Sequence, residues 1–287
     1  MSEWVRRVGG HRDLLSRLLP GDDPDDLDVR QGQFHVVVIG ADRVVCLPRT
    51  SAAAERLPAR AGVLRALAAL DLGFRTPEPV SQGGGEAPFL VLSRIPGEPL
   101  EADALNDARM VDSVAAQYAA LLSGLARAGA DESVRAVIPQ APEGRWRRFA
   151  EDVRGELFPL MSGGGRLRAG RELSALDGLP HVTGAVVHGD LGAENVLWEW
   201  TDGLPRLSGV LDWDDVALGD PAEDLAAIGA SYGRELLARV LALGDASDRG
   251  LLARIAAIRG TFALQQALYA VRDGDEEELA DGLTGYR

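Results

Sequence analysis

The chain has 287 residues, 46% of them apolar, with 30 basic against 44 acidic side chains and a net charge of −14. That balance disfavours nucleic acid and anionic membrane as partners and favours a cationic one. A single cysteine, Cys46, excludes an internal disulfide and a cysteine-based zinc cluster, and the complete absence of lysine excludes a Walker-A loop and a Schiff base.

Residues 11–19, HRDLLSRLL, predict a short helix, and DPDDLDVR (23–30) an acidic loop. A β-hairpin follows, with strands over 34–39 and 43–47 around a Gly-Ala-Asp turn. A helix is expected over 58–70, with Pro58 in its first turn. The segment 74–88 is loop-rich with one short strand, and PFLVLSRI (88–95) predicts a buried strand. Pro-Gly-Glu-Pro at 96–99 then breaks the pattern.

Beyond it the pattern turns helical. Val111, Val114, Tyr118, Leu121, Leu122 and Leu125 recur at helical spacing within 102–129, and two further helices are expected over 144–161 and 165–179. The run AVV (185–187) leads into His188-Gly189-Asp190, then NVLWEW (195–200), the turn TDGLP and the strand RLSGVLDW (206–213). The rest, 221–286, is helical again. The expected fold is α+β and protein-kinase-like: a small mostly-β lobe over 1–95, a hinge over 96–100, and a larger mostly helical lobe over 101–287 with an embedded catalytic hairpin. The N-terminus lacks the apolar core of a secretory leader and no apolar run approaches the ~20 residues of a membrane span, so a cytoplasmic protein is expected.

The hairpin carries the chemistry. Antiparallel pairing across TDGLP is expected to return Asp212 to Asn195, with Asp190 just before that end. Oxygen donors from Asn and Asp suit Mg²⁺, which keeps waters and takes phosphate oxygens for the rest of its shell. A carboxylate that binds no metal is then free to accept a hydroxyl proton. Metal clamp, nucleotide and positioned base are the parts of phosphoryl transfer. His188 is expected to tie the loop together rather than to react.

These same residues carry a resemblance. HGDLGAENVL with GVLDWDDVALGDPAEDLA resembles the aminoglycoside phosphotransferase family, antibiotic kinases of protein-kinase-like fold. HRDLLSRLLPG, LGFRTP, LVLSRIPG, ELFPLMS, GDPAEDLAAIGASYG and IRGTFALQQALYA, spread over nearly the whole chain, are similar to one group within it, the phosphotransferases of the tuberactinomycins viomycin and capreomycin. The resemblance implies an ATP-dependent kinase phosphorylating a seryl hydroxyl of a cationic cyclic peptide antibiotic, and so resistance to it. It places the catalytic aspartate on Asp190, the two magnesium ligands on Asn195 and Asp212, and the adenine contacts on the Ser93 carbonyl and Ile95 amide. Asp224 falls on a structural position. Another hydroxylated antibiotic, an aminoglycoside or a macrolide, is the alternative substrate, and a non-catalytic antibiotic-binding relative the alternative function.

The chain departs from the family pattern at one point. The family's strand-borne phosphate-binding cation is replaced by Cys46, and Arg60 stands where a helix glutamate should hold that cation. Arg60, Leu64 and Leu67 share a helix face, so Arg60 points inward and is expected to bind nucleotide phosphate, with Arg49 as competitor. His35 is expected to face solvent. Glu194, Asp214 and Asp215 form the expected acidic contact for a cationic substrate.

Overall fold

The computed structural model describes residues 12–23, 25–32, 34–85, 87–244 and 250–287. The leaderless reading of the N-terminus falls on residues outside these. The described residues form two compact units: the chain up to Leu100 together with Asn195–Asp214, and Glu101–Glu194 together with Asp215–Arg287. Residues 195–214 thus cluster with the first unit, although they lie far along the chain.

The first unit begins with helix α1 (Arg12–Leu18) and a five-stranded antiparallel sheet built from β1 (Asp28–Gln31), β2 (His35–Ile39), β3 (Arg43–Pro48), β4 (Pro79–Gly83) and β5 (Phe89–Ser93) in the order β1-β2-β3-β5-β4. The acidic stretch read as loop therefore ends in a strand. Its residues alternate poorly in polarity and are mostly exposed, so only pairing with β2 makes a strand of them. Leu15 and Leu19 pack on Val36, Val38, Val45, Leu47 and Val91 to form the core of this unit.

Helix α2 (Ser51–Ala68) starts seven residues before the expected point (58 − 51). Thr50 caps it, its side chain accepting from the Ala53 amide at 3.1 Å, and alanines fill the first turn. Pro58 therefore sits inside the helix, on its exposed side. Leu57, Ala61, Leu64 and Leu67 line the buried face of α2.

The hairpin of β8 (Val196–Thr201) and β9 (Leu204–Val210) turns on Asp202-Gly203. Both turn residues have positive φ, 52° and 76°. That is the two-residue turn whose twist matches antiparallel strands, and it explains why Asp-Gly stands there. A two-residue strand β6 (Glu98–Pro99) adds to β8, so the segment read as a hinge supplies a sheet edge.

In the second unit, β7 (Ala185–Val187) pairs with β10 (Ala217–Gly219), a strand too short for any sequence signal. Helix α3 (Ala108–Gly129) begins at Asp107, which accepts from the amides of Arg109 and Met110, and buries Val111, Val114, Tyr118, Leu121 and Leu125. It packs on β7 and on α7 (Ala222–Leu243). Further helices run over Leu251–Arg259, Phe262–Asp273 and Glu276–Gly282, the last capped by Asp275 with three glutamates in its first turn, as the dipole favours. Among the described residues no helix is long and apolar enough to cross a membrane.

Candidate active site

In the first unit the end of the β8–β9 hairpin gathers the site. The register runs Val196 to Val210, and the Leu211 amide donates to the Asn195 carbonyl at 2.8 Å. Asn195 therefore stands opposite Leu211, one residue from Asp212. Asp212 has φ of 53°, a left-handed conformation that costs a non-glycine residue about 1–2 kcal/mol. Trp213 enforces it. Its ring is 2% exposed, stacks on Phe74 and donates from Nε1 to the Val210 carbonyl at 2.9 Å. The Leu-Asp-Trp sequence is thus a carboxylate presented by an anchored turn. The Asn195 side chain is buried and the Asp212 side chain is 57% exposed.

Arg60 points into this turn from α2, its side chain only 14% exposed. Its Nε lies 2.7 Å from Asp214 Oδ1 and its Nη2 3.8 Å from Asp212 Oδ1. The Nε contact is an ion pair that is out of line for a hydrogen bond. Burial opposes the charge on Arg60, but the carboxylates of Asp214 and Asp212 and a hydrogen bond to Cys46 outweigh it and raise its pKa. Cys46 itself is a buried strand residue whose thiol burial pushes up. Arg49 is exposed and donates to the Gly32 carbonyl at 3.0 Å, which separates it from Arg60 in environment.

His35 corrects an expectation: it is 7% exposed rather than facing solvent. The first residue of β2 turns inward here because Arg60 Nη1 reaches its Nδ1 at 3.1 Å. Burial first, then the Arg60 charge, lowers the imidazole from 6.5 to about 4. The unfolded chain therefore binds a proton between those values that the folded chain refuses, and stability falls as pH falls through that window. Melting curves of the wild type and His35→Gln should diverge at pH 7.5 and converge toward pH 4.5. Parallel curves would refute the assignment.

Ser93 ends β5, where its amide donates to the Glu78 carbonyl at 2.8 Å and its Oγ accepts from the Glu78 amide at 2.9 Å. Ile95, two residues on, is buried.

In the second unit the His-Gly-Asp loop is held from beneath. Asp224, fully buried in α7, accepts from the His188 amide through Oδ2 and the Gly189 amide through Oδ1, both at 3.0 Å. Burial drives this carboxyl up to about 7 against those two hydrogen bonds, which favour its anion. His188 has no exposed surface, and its Nδ1 accepts from the Asp190 amide at 3.2 Å. Gly189 has φ of 89°, and a Cβ there would meet the Asp215 carbonyl at 2.8 Å, so no other residue fits. The loop exposes Asp190. Glu194 and Asp215 are exposed in the same unit, whereas the Asp214 side chain is turned toward Arg60.

A rigid loop ending in an exposed carboxylate, and an anchored Asn–Asp pair beside a buried arginine, are parts suited to handling phosphate. The family model described as the phosphotransferase enzyme family matches residues 26–258. The chain belongs to this family, that of the aminoglycoside phosphotransferases. It is a phosphotransferase that acts on a hydroxyl group. Within the family it is 69% identical over 287 residues to the viomycin phosphotransferase of Streptomyces vinaceus, covering 99% of this chain and all of that one. The family fold is seen again in the GDP complex of wild-type aminoglycoside 2'-phosphotransferase IIIa. That structure has a TM-score of 0.80 at 19% identity, with 96% of this chain and 95% of that one covered. The streptomycin–ATP ternary complex of APH(2'')-IIa gives 0.68 at 17% identity, covering 99% and 95%.

Sequence reasoning missed two participants here, His35 and the partnership of Asp214 with Arg60. Neither has a local signal, because each depends on which strand or turn α2 packs against. The early start of α2 did have one, in the Thr-Ser-Ala-Ala-Ala run that begins at Thr50.

Proposed function

We propose that this chain phosphorylates a seryl hydroxyl of a cationic cyclic peptide antibiotic of the viomycin and capreomycin type, using ATP, and so confers resistance in the cytoplasm, where ATP is held. The 69% identity over almost the full chain to a viomycin phosphotransferase carries this reading of the substrate. The net charge of −14 and the exposed Glu194 and Asp215 favour a cationic acceptor.

The first unit is the nucleotide side. Ser93 and Ile95 offer backbone contacts to the adenine, with 96–100 following as hinge. Arg60 is the phosphate cation: it is inward and charged, whereas Arg49 is exposed and donates to a backbone carbonyl. Asn195 and Asp212 fit Mg²⁺, being hard oxygen donors at the same end of the β8–β9 hairpin. Among the described residues no three His, Cys, Asp or Glu side chains form a fuller cage. A metal held by two protein donors would take phosphate and water oxygens for the rest of its shell. When bound, Mg²⁺ supplies charge neutralisation at the phosphates.

Asp190, on the second unit, is the base. Its carboxylate accepts the seryl proton as the hydroxyl oxygen bonds to the γ-phosphorus. The bond from that phosphorus to the β–γ bridging oxygen breaks, and ADP leaves. His188 and Asp224 hold the loop that presents Asp190, by the hydrogen bonds to its backbone.

Mass spectrometry of viomycin and capreomycin after incubation with the protein, ATP and Mg²⁺ tests the proposal. The expected result is a gain of one phosphoryl group on the seryl side chain. Modification of kanamycin or a macrolide instead would move the assignment to another antibiotic, and drug binding without modification would leave only a sequestering relative.

A further inference from the structure

Resting on the phosphotransferase reading above, we propose that Asp214 is the positioning residue for Arg60, so that the ion pair of this nucleotide site runs with reversed polarity. The cation stands on the helix, and the carboxylate that holds it stands on the turn after β9. The strand position holds Cys46, whose buried thiol carries no charge.

Three observations carry this. The Asp214 side chain is 21% exposed and lies 2.7 Å from Arg60 Nε, whereas the neighbouring Asp212 is 57% exposed and 3.8 Å from Nη2. Asp214 is therefore the close partner, and Asp212 is the carboxylate left available. Second, an arginine side chain only 14% exposed needs a counter-charge to stay inward. His35, also in contact with it, approaches through Nδ1 at 3.1 Å as a neutral acceptor and supplies none. Third, Arg60 Nη1 donates to His35 and Nη2 stands 3.8 Å from Asp212, beyond hydrogen-bond reach, so the guanidinium is held without being saturated. That leaves it donors for a phosphate oxygen, which it pairs with well.

The reading withdraws Asp214 from the acidic substrate contact expected from its sequence neighbourhood. It assigns that contact to Glu194 and Asp215, which are exposed in the second unit. It also accounts for the absence of a charge at position 46. A lysine there would meet Arg60 across a buried strand, where like charges strongly disfavour each other.

The experiment measures binding of a fluorescent ATP analogue, with and without Mg²⁺, alongside steady-state kinetics and melting curves, for wild type, Arg60→Ala, Asp214→Ala, Asp214→Asn and Asp214→Glu. The proposal expects Arg60→Ala, Asp214→Ala and Asp214→Asn to weaken nucleotide binding about tenfold or more and to raise KM for ATP, with KM for viomycin unchanged. Asp214→Glu should recover most of the loss. Nucleotide affinity unchanged in Asp214→Asn, with KM for viomycin raised, would overturn it and return Asp214 to the substrate. A lower melting temperature with unchanged nucleotide affinity would overturn it as well, leaving a purely structural pair. Failure of the wild type to bind nucleotide at all would instead refute the phosphotransferase reading beneath.

Discussion

Asp190→Ala should abolish phosphoryl transfer, lowering kcat by about 10²–10⁴-fold, the range a positioned general base contributes. The loop around it should stay intact, because its backbone is held by other side chains. Asp224 holds the His188 and Gly189 amides, and His188 Nδ1 accepts from the Asp190 amide. Affinity for the ATP analogue should therefore change little. Asp190→Asn keeps the shape and removes the proton acceptor, so it should match the alanine variant in kcat. Turnover within a few-fold of wild type in either variant would remove Asp190 from the reaction and leave the exposed Asp215 as the carboxylate to examine.

The largest loss of stability should follow from Asp220→Ala. Asp220 and Arg254 form a bidentate pair, Nε to Oδ2 at 2.6 Å and Nη2 to Oδ1 at 3.2 Å, with both side chains only 9% exposed. Asp220 Oδ1 also accepts from the Ala222 amide at the start of α7. Removing one partner strands a buried charge, which costs about 3–5 kcal/mol. The double variant Asp220→Ala, Arg254→Met removes the stranded charge and should recover part of that loss in denaturant unfolding. A single variant within about 1 kcal/mol of wild type would show that water reaches the pair. The position matters to function, since Asp220 follows β10, the partner of β7, and β7 leads directly into the His-Gly-Asp loop.

Much of the fold is legible in the sequence where a segment decides its own conformation. The Asp-Gly turn between β8 and β9, the helical period of α3 and the apolar run of β5 each act over a few residues. The segments that composition does not announce are those whose structure is imposed from elsewhere. β1 is polar and becomes a strand by pairing with β2. Glu98–Pro99 is a breaker by composition and a strand by pairing with β8. Pro58 signals a helix start, but Thr50 provides the cap and the helix runs through the proline.

The same division holds at the site. The sequence by itself determined which groups could do chemistry. His-Gly-Asp, the asparagine five residues on and Leu-Asp-Trp form a pattern of short range, and the lack of any lysine forces an arginine wherever a buried cation is needed. It also marked Arg60 as inward, because helical spacing ties it to Leu64 and Leu67. Only the tertiary structure decided what Arg60 meets. His35 comes from one strand, Cys46 from the next, and Asp214 from a turn far along the chain. Periodicity fixes the direction in which a side chain leaves its helix, but a partner across the fold is chosen by packing, and packing has no local signature.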